Sequence, residues 1–195
     1  MDNIEIEMRI QLEEPETLLY WLKKSAEPIN TSNQIDFYFE PKNKPFIYLD
    51  SDGYKNADEW LRVRIGDKNE ICYKKWYRDK NTHKSLYADE IETNIEDGEK
   101  IIEILKKLGF RQIAIVKKHR ESWRYKDFRF DCDEVEGLGF FVEIEFKGEI
   151  DNPKNGREKI INLLKGIGIK NWKIIKGGYP WMQWNLNQNY FENES

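Results

Sequence analysis

The chain has 195 residues, 39% of them hydrophobic, and Lys+Arg 32 against Asp+Glu 36 gives a formal net charge of −4. That length suffices for one domain with a full core, and the acidic balance excludes bulk electrostatic attraction to nucleic acid. An aromatic content of 14% excludes a disordered chain, and no apolar run approaches the ~20 residues of a membrane span.

Residues 3–12 alternate strictly: Ile4, Ile6, Met8 and Ile10 share one face, and Glu5, Glu7, Arg9 and Gln11 the other. That period of two predicts a strand. Pro15 suits the first turn of a helix, with Leu18, Leu19 and Leu22 as its apolar stripe to about Ala26. Strands are expected at 33–40, 60–66, 70–77 and 86–93. Residues 41–56 read as a long loop, 66–69 as a hairpin turn and 78–84 as a longer hairpin loop. A second helix is expected at 97–108, ended by Gly109 as C-cap. Strands follow at about 110–120, 122–134 and 139–147, then a helix opened by Asn152-Pro153 and a short strand at 171–176. The expected organisation is a single domain over 1–184 with a polar, frayed tail over 185–195. Strands joined by hairpins, with a few helices, make an antiparallel α+β pattern and not a βαβ one.

Cys72 and Cys132 lie in strand-like segments without a CxxC partner, and Met1 to Glu5 lack the features of a secretory leader. Reduced thiols in a cytoplasmic protein are the expectation.

One feature recurs along the strands. Glu5 and Glu7, Arg62 and Arg64, Glu90 and Glu92, Asp131 and Asp133, and Glu143 and Glu145 are like charges two positions apart around an apolar residue, and Lys118 and Arg120 share that spacing. In a strand, positions i and i+2 point to the same side. Any single doublet reads as the solvated face of a half-buried strand. The set reads differently, because adjacent like charges repel and a solvated face gains nothing from them. Were the sheet closed into a barrel, the apolar faces would lie under the helices and the charges would line the interior. Buried charges must be paired or bound to ions. Carboxylates bind Mg²⁺ or Mn²⁺ through oxygen, and Arg and Lys bind phosphate oxygens, so a metal-bound polyphosphate satisfies both sets.

The same residues resemble the CYTH superfamily, the triphosphate tunnel metalloenzymes. Glu5-Ile6-Glu7-Met8-Arg9 is similar to the family's N-terminal Glu-x-Glu-x-Lys, with Arg9 for the usual lysine. Leu61-Arg62-Val63-Arg64, Cys72-Tyr73-Lys74, Asp89-Glu90-Ile91-Glu92 and Lys118-His119-Arg120 resemble its later strands in order. The stretch from Asp133 through Gly137-Leu138-Gly139 to Glu143-Ile144-Glu145 is close to its most specific block. The resemblance spans roughly residues 3–176. It implies a closed eight-stranded antiparallel β-barrel, or triphosphate tunnel, with helices packed outside, requiring Mg²⁺ or Mn²⁺.

By the same resemblance, Glu5, Glu7, Asp133, Glu143 and Glu145 hold metal, and Arg9, Arg62, Arg64, Lys74, Lys118 and Arg120 hold the triphosphate. Glu90, Glu92 and Asp133 are the implied catalytic carboxylates. The nearest group in layout is the class IV adenylyl cyclases, acting on ATP. A triphosphatase of tripolyphosphate, thiamine triphosphate or a nucleoside triphosphate is the alternative, and a non-catalytic nucleotide or polyphosphate receptor a third. The expected partner is the small-molecule triphosphate, with neither nucleic acid nor membrane, and a homodimer is an assembly common among relatives. His83 and His119 are too scattered for a catalytic pair. Trp60, Trp76 and Trp123 are expected to pack rather than to stack on a base.

Overall fold

The computed structural model describes residues 6–78, 85–148, 153–175, 177–186 and 191. In chain order these form β1 (Ile6–Leu12), α1 (Pro15–Ser25), β2 (Glu27–Pro41), β3 (Ile47–Leu49), β4 (Lys55–Ala57), β5 (Glu59–Ile65), β6 (Asn69–Arg78) and β7 (Ser85–Ile95). Then come α2 (Gly98–Lys107), β8 (Phe110–Tyr125), β9 (Phe128–Val135), β10 (Gly139–Phe146), α3 (Pro153–Ile167), β11 (Trp172–Ile174) and α4 (Tyr179–Trp184). The α+β class and the antiparallel pairing are as the sequence pattern requires. The chain divides into two compact units, one of residues 1–32, 118–176 and 189–195, the other of 33–117 and 177–188.

In the first unit the strands run β11-β1-β10-β9-β8. The alternation read in β1 buries Ile6, Met8, Ile10 and Leu12 against Phe130, Cys132, Val142 and Ile144. Leu18 and Leu22 of α1 and Ile160 and Leu164 of α3 cover that face, each fully buried. Each such leucine or isoleucine contributes roughly 1.5–3 kcal/mol relative to exposure. Pro15 opens α1, as its fixed φ allows.

In the second unit the order is β2-β5-β6-β7. Phe39 and Val63 pack there against Ile102 and Leu105 of α2. Asp97 caps α2, its side chain accepting from Lys100 N at 3.0 Å, and Gly109 takes φ +86 just past its end.

The structure corrects the sequence reading in four places. Among the described residues the larger sheet has nine strands and its ladders do not close into a ring, so the closed eight-stranded barrel is not what they record. The ninth strand is β11, which occupies the second edge of β1 through Ile10↔Ile174 and Leu12↔Trp172. The break expected near Glu121 falls later. β8 continues to Tyr125 and turns at Lys126, whose φ is 52°. Residues 41–56 are not one loop but carry the β3–β4 hairpin, whose turn is tied by Asp50 accepting from Asp52 N and Tyr54 N. Helix α4 was not foreseen, and Asn185, expected to begin a frayed tail, is buried and donates to Trp181 O at 2.8 Å. The hairpin loop expected at 78–84 falls almost wholly outside the described residues.

Candidate functional site

Register places the charged doublets of the first unit on the face opposite the core. Arg9 lies across from Glu143, and Glu7 across from Glu145. Glu143 in turn faces Asp131, and Glu145 faces Arg129. Asp131 faces Ser122, and Asp133 faces Arg120. The Gly137-Leu138-Gly139 turn sets this alignment. Leu138 N donates to Val135 O at 3.1 Å, and the glycines adopt φ +78 and +107, which side chains strongly disfavour.

The side chains on this face form one network. Arg120 is buried. Its Nε donates to Asp133 Oδ1 at 2.6 Å and its Nη2 to Asp133 Oδ2 at 2.5 Å, a two-pronged pair. Nη1 donates to Asp131 Oδ2 at 2.7 Å, and Nη2 also to Glu143 Oε2 at 2.6 Å. The other Glu143 oxygen accepts from Arg9. Lys118 Nζ lies 3.2 Å from Asp133 Oδ2, and Asp131 Oδ1 accepts from Ser122 Oγ at 2.6 Å and Arg129 Nε at 3.0 Å. Lys147 pairs with Glu145, while Glu7 is exposed. Glu5 lies outside the described residues.

The second unit carries an analogous face. Asp36 opposes Arg64, and Tyr38 opposes Arg62. Arg62 opposes Cys72, which opposes Glu92, and Lys74 opposes Glu90. Arg64 grips the buried Asp36 with two bonds, Nε to Oδ1 at 2.7 Å and Nη2 to Oδ2 at 3.0 Å. Arg62 pairs with Glu70, and its buried Nε makes no hydrogen bond. Burial opposes the Arg62 charge, yet Asp36, Tyr38, Cys72 and Glu70 nearby hold the guanidinium protonated more firmly than usual. Lys74 Nζ lies 2.8 Å from Glu90.

Two carboxylates on β7 are pushed apart in acidity. Glu92 is exposed, yet partial desolvation against the sheet raises its pKa, and the charges of Glu70 and Glu90 raise it further. Burial acts in the same sense on Glu90, but Lys74 and the Cys72 thiol outweigh it and hold Glu90 below its ordinary value. Cys72, Glu90 and Glu92 offer ligand atoms within 4.8 Å of one another. The Cys72 thiol is pushed up to about 12, chiefly by burial, which disfavours the thiolate a metal would need. Both cysteines are free and buried.

Several residues organise these faces without having stood out as candidates. Asp131 was visible as half of a doublet and Asp36 inside a strand, but nothing in the sequence marks Ser122 or Glu70. His119 projects from the opposite side of β8, across from Glu134, and His83 lies outside the described residues. Trp60 stacks on Trp184, centroids 5.5 Å apart at 13°, and meets Tyr38 edge-on. Trp123 packs at the margin of the first core.

Residues 3–179 match the CYTH domain. The chain belongs to the CYTH family. It is 33% identical over 179 residues to a Methanocaldococcus jannaschii protein named "Putative adenylate cyclase MJ0240", covering 90% of this chain and 96% of that one. Its fold is similar to that of the PH1819 protein of Pyrococcus horikoshii, at 28% identity and a TM-score of 0.70, over 92% of this chain and 97% of the other. The PH1012 protein of the same organism is 26% identical with a TM-score of 0.70, over 91% and 98%. No helix among the described residues is long and apolar enough to cross a membrane.

Proposed function

We propose that this CYTH protein is a metal-dependent enzyme acting on a triphosphate, and that its reaction is the adenylate cyclase one, ATP to cyclic AMP and pyrophosphate. The observation that carries the reading is Glu143, a carboxylate shared between Arg9 and Arg120 and on the same strand face as Glu145. Hard anionic oxygens and fixed cations alternate there as a metal–triphosphate complex requires. The name of the Methanocaldococcus jannaschii relative supports the cyclase among the activities open to such a site.

The donor set fits Mg²⁺ or Mn²⁺. Glu143 and Glu145 present only oxygen atoms, and their side chains are 17% and 19% exposed, so an ion held there would be partly shielded from water. Glu5 and Glu7 complete the proposed ligand set. A bound divalent ion would supply Lewis-acid polarisation and charge neutralisation. The chain's own residues do the rest. Arg9 and Lys118 bind phosphate oxygens and neutralise the charge that develops as pyrophosphate departs; taken by itself, the face of the second unit also offers phosphate-binding cations in Arg62, Arg64 and Lys74.

In the cyclase reaction the ribose 3′-oxygen bonds to the α-phosphorus. The bond from that phosphorus to the bridging oxygen breaks, pyrophosphate leaves, and the 3′ proton passes to a base. The two buried free thiols fit a reducing cytoplasmic setting. The test is to incubate the purified protein with Mn²⁺ and, separately, ATP, thiamine triphosphate and tripolyphosphate. Cyclic AMP with pyrophosphate supports the proposal. Orthophosphate instead makes the protein a triphosphatase, and tight binding without turnover makes it a receptor.

A further inference from the structure

Aromatic side chains stand beside the cations on the charged face of the second unit. Trp60, Arg62 and Arg64 share one side of β5 at a spacing of two, and Trp60 lies across from Lys74. Tyr38, across from Arg62, meets the Trp60 ring edge-on at 5.7 Å. We infer that Trp184 of α4 is a gate on this end of the face. Its indole lies on Trp60 where the aromatic group of an organic triphosphate would stack, so a nucleotide must displace it and inorganic tripolyphosphate need not. This rests on the reading of Arg62 and Lys74 as phosphate ligands.

The position of Trp60 suits it for that group. Two residues along a strand span roughly 6.6 Å, so a ring resting on Trp60 lies next to the first cation of the row. An indole offers a broad π-face, and stacked rings gain attraction beyond the area they bury. Trp184 holds that face in the ligand-free chain. The two indoles are 13° from parallel with centroids 5.5 Å apart, which leaves no room for a third flat ring between them.

Trp184 is attached in a way that lets it leave while α4 stays. Tyr179, Pro180, Trp181 and Met182 are buried and anchor the start of the helix. Asn185, just past its end, binds β4 with both atoms of its amide: Oδ1 accepts from Lys55 N at 3.2 Å and Nδ2 donates to Lys55 O at 3.0 Å. Between these anchors Gln183 and Trp184 are only half-buried. Gln183 Nε2 donates to Ile115 O at 2.9 Å and Trp184 Nε1 to Ile113 O at 3.1 Å. Both carbonyls lie outside the β8–β9 ladder, which starts at Lys118. The indole hydrogen bond and the Trp60 stack orient Trp184, and a change of its rotamer breaks both without unfolding the helix.

The test is Trp184→Ala, with the binding of ATP and of tripolyphosphate measured separately by calorimetry in EDTA to prevent turnover. The gate predicts that ATP affinity rises roughly 2–10-fold, the factor a stacked aromatic pair is worth, while tripolyphosphate affinity is unchanged. Equal changes in both, or none in either, overturn it. A fall in ATP affinity makes Trp184 a wall of the site and overturns it too. Should the variant fold poorly, fluorine NMR of the native chain labelled with fluorotryptophan decides. ATP should shift the Trp184 resonance, assigned from Trp184→Phe, and tripolyphosphate should leave it in place; a resonance that ATP does not move overturns the gate. A native chain that binds no tripolyphosphate sinks the triphosphate reading and the gate with it, whereas the outcomes above, with tripolyphosphate bound, sink the gate alone.

Discussion

Replacing Asp36 by asparagine tests whether the charged face of the second unit is a coupled structure or a set of independent surface residues. Asp36 is 1% exposed and receives two bonds from Arg64. It is also the strongest opposing charge acting on Arg62. Asp36→Asn keeps the shape but takes the carboxylate from the largely buried Arg64 guanidinium and leaves Arg62 with Glu70 alone of its two acidic neighbours. Removing one partner of a buried ion pair costs about 3–5 kcal/mol, whereas removing both charges is often close to neutral. At about 2–4 °C per kcal/mol for a chain of this length, 3 kcal/mol lowers the melting temperature by roughly 6–12 °C. Scanning calorimetry on Asp36→Asn, Arg64→Gln and the double variant measures this. The double variant should recover at least half of the loss. A shift below about 1 °C for Asp36→Asn, or a double variant no better than the singles, would refute the reasoning, since neither fits a buried coupled pair.

Two further outcomes are expected. Glu143→Gln keeps the side-chain shape but loses the charge a metal needs, so it should lose metal-dependent turnover while its circular dichroism spectrum is unchanged; full turnover would remove Glu143 from the ligand set. Glu92→Gln should stabilise the protein above the raised Glu92 pKa and have no effect well below the ordinary glutamate value of 4.5. The sign follows from the folded state binding the Glu92 proton more tightly than the unfolded one. Stability contributed by that group therefore falls as pH rises from about 4.5 through the raised value. Melting curves of both proteins across pH check this, and a gain confined to acid pH would contradict it.

Much of the fold was legible because its signals are local. The alternation of β1 and the apolar stripes of the helices declare themselves within a few residues, and the doublets reveal shared faces through a period of two. What stayed hidden depends on contacts distant in sequence. That Arg9 meets Glu143 follows from the β1–β10 register, and that Asp131 meets Ser122 follows from where β8 turns. The turn at Lys126 was missed because no glycine marks it; a lysine adopts the positive φ. Glu40 was missed as well. It is fully buried, takes the N–H groups of Phe46 and Ile47 and pairs with Arg111, 71 positions away. Its sequence neighbourhood gives no hint of that burial. The ligand-type residues were legible as types, but that Glu143 is shared between Arg9 and Arg120, and that Arg120 meets three carboxylates, needed coordinates.

The most direct measurement is a crystal structure grown with Mn²⁺ and a non-hydrolysable ATP analogue. The account predicts the ion on the Glu143 and Glu145 carboxylates, Arg9 released from Glu143 onto a phosphate oxygen, and Lys118 on the same triphosphate. An ion bound away from Glu143, or a triphosphate touching neither Arg9 nor Lys118, would contradict it.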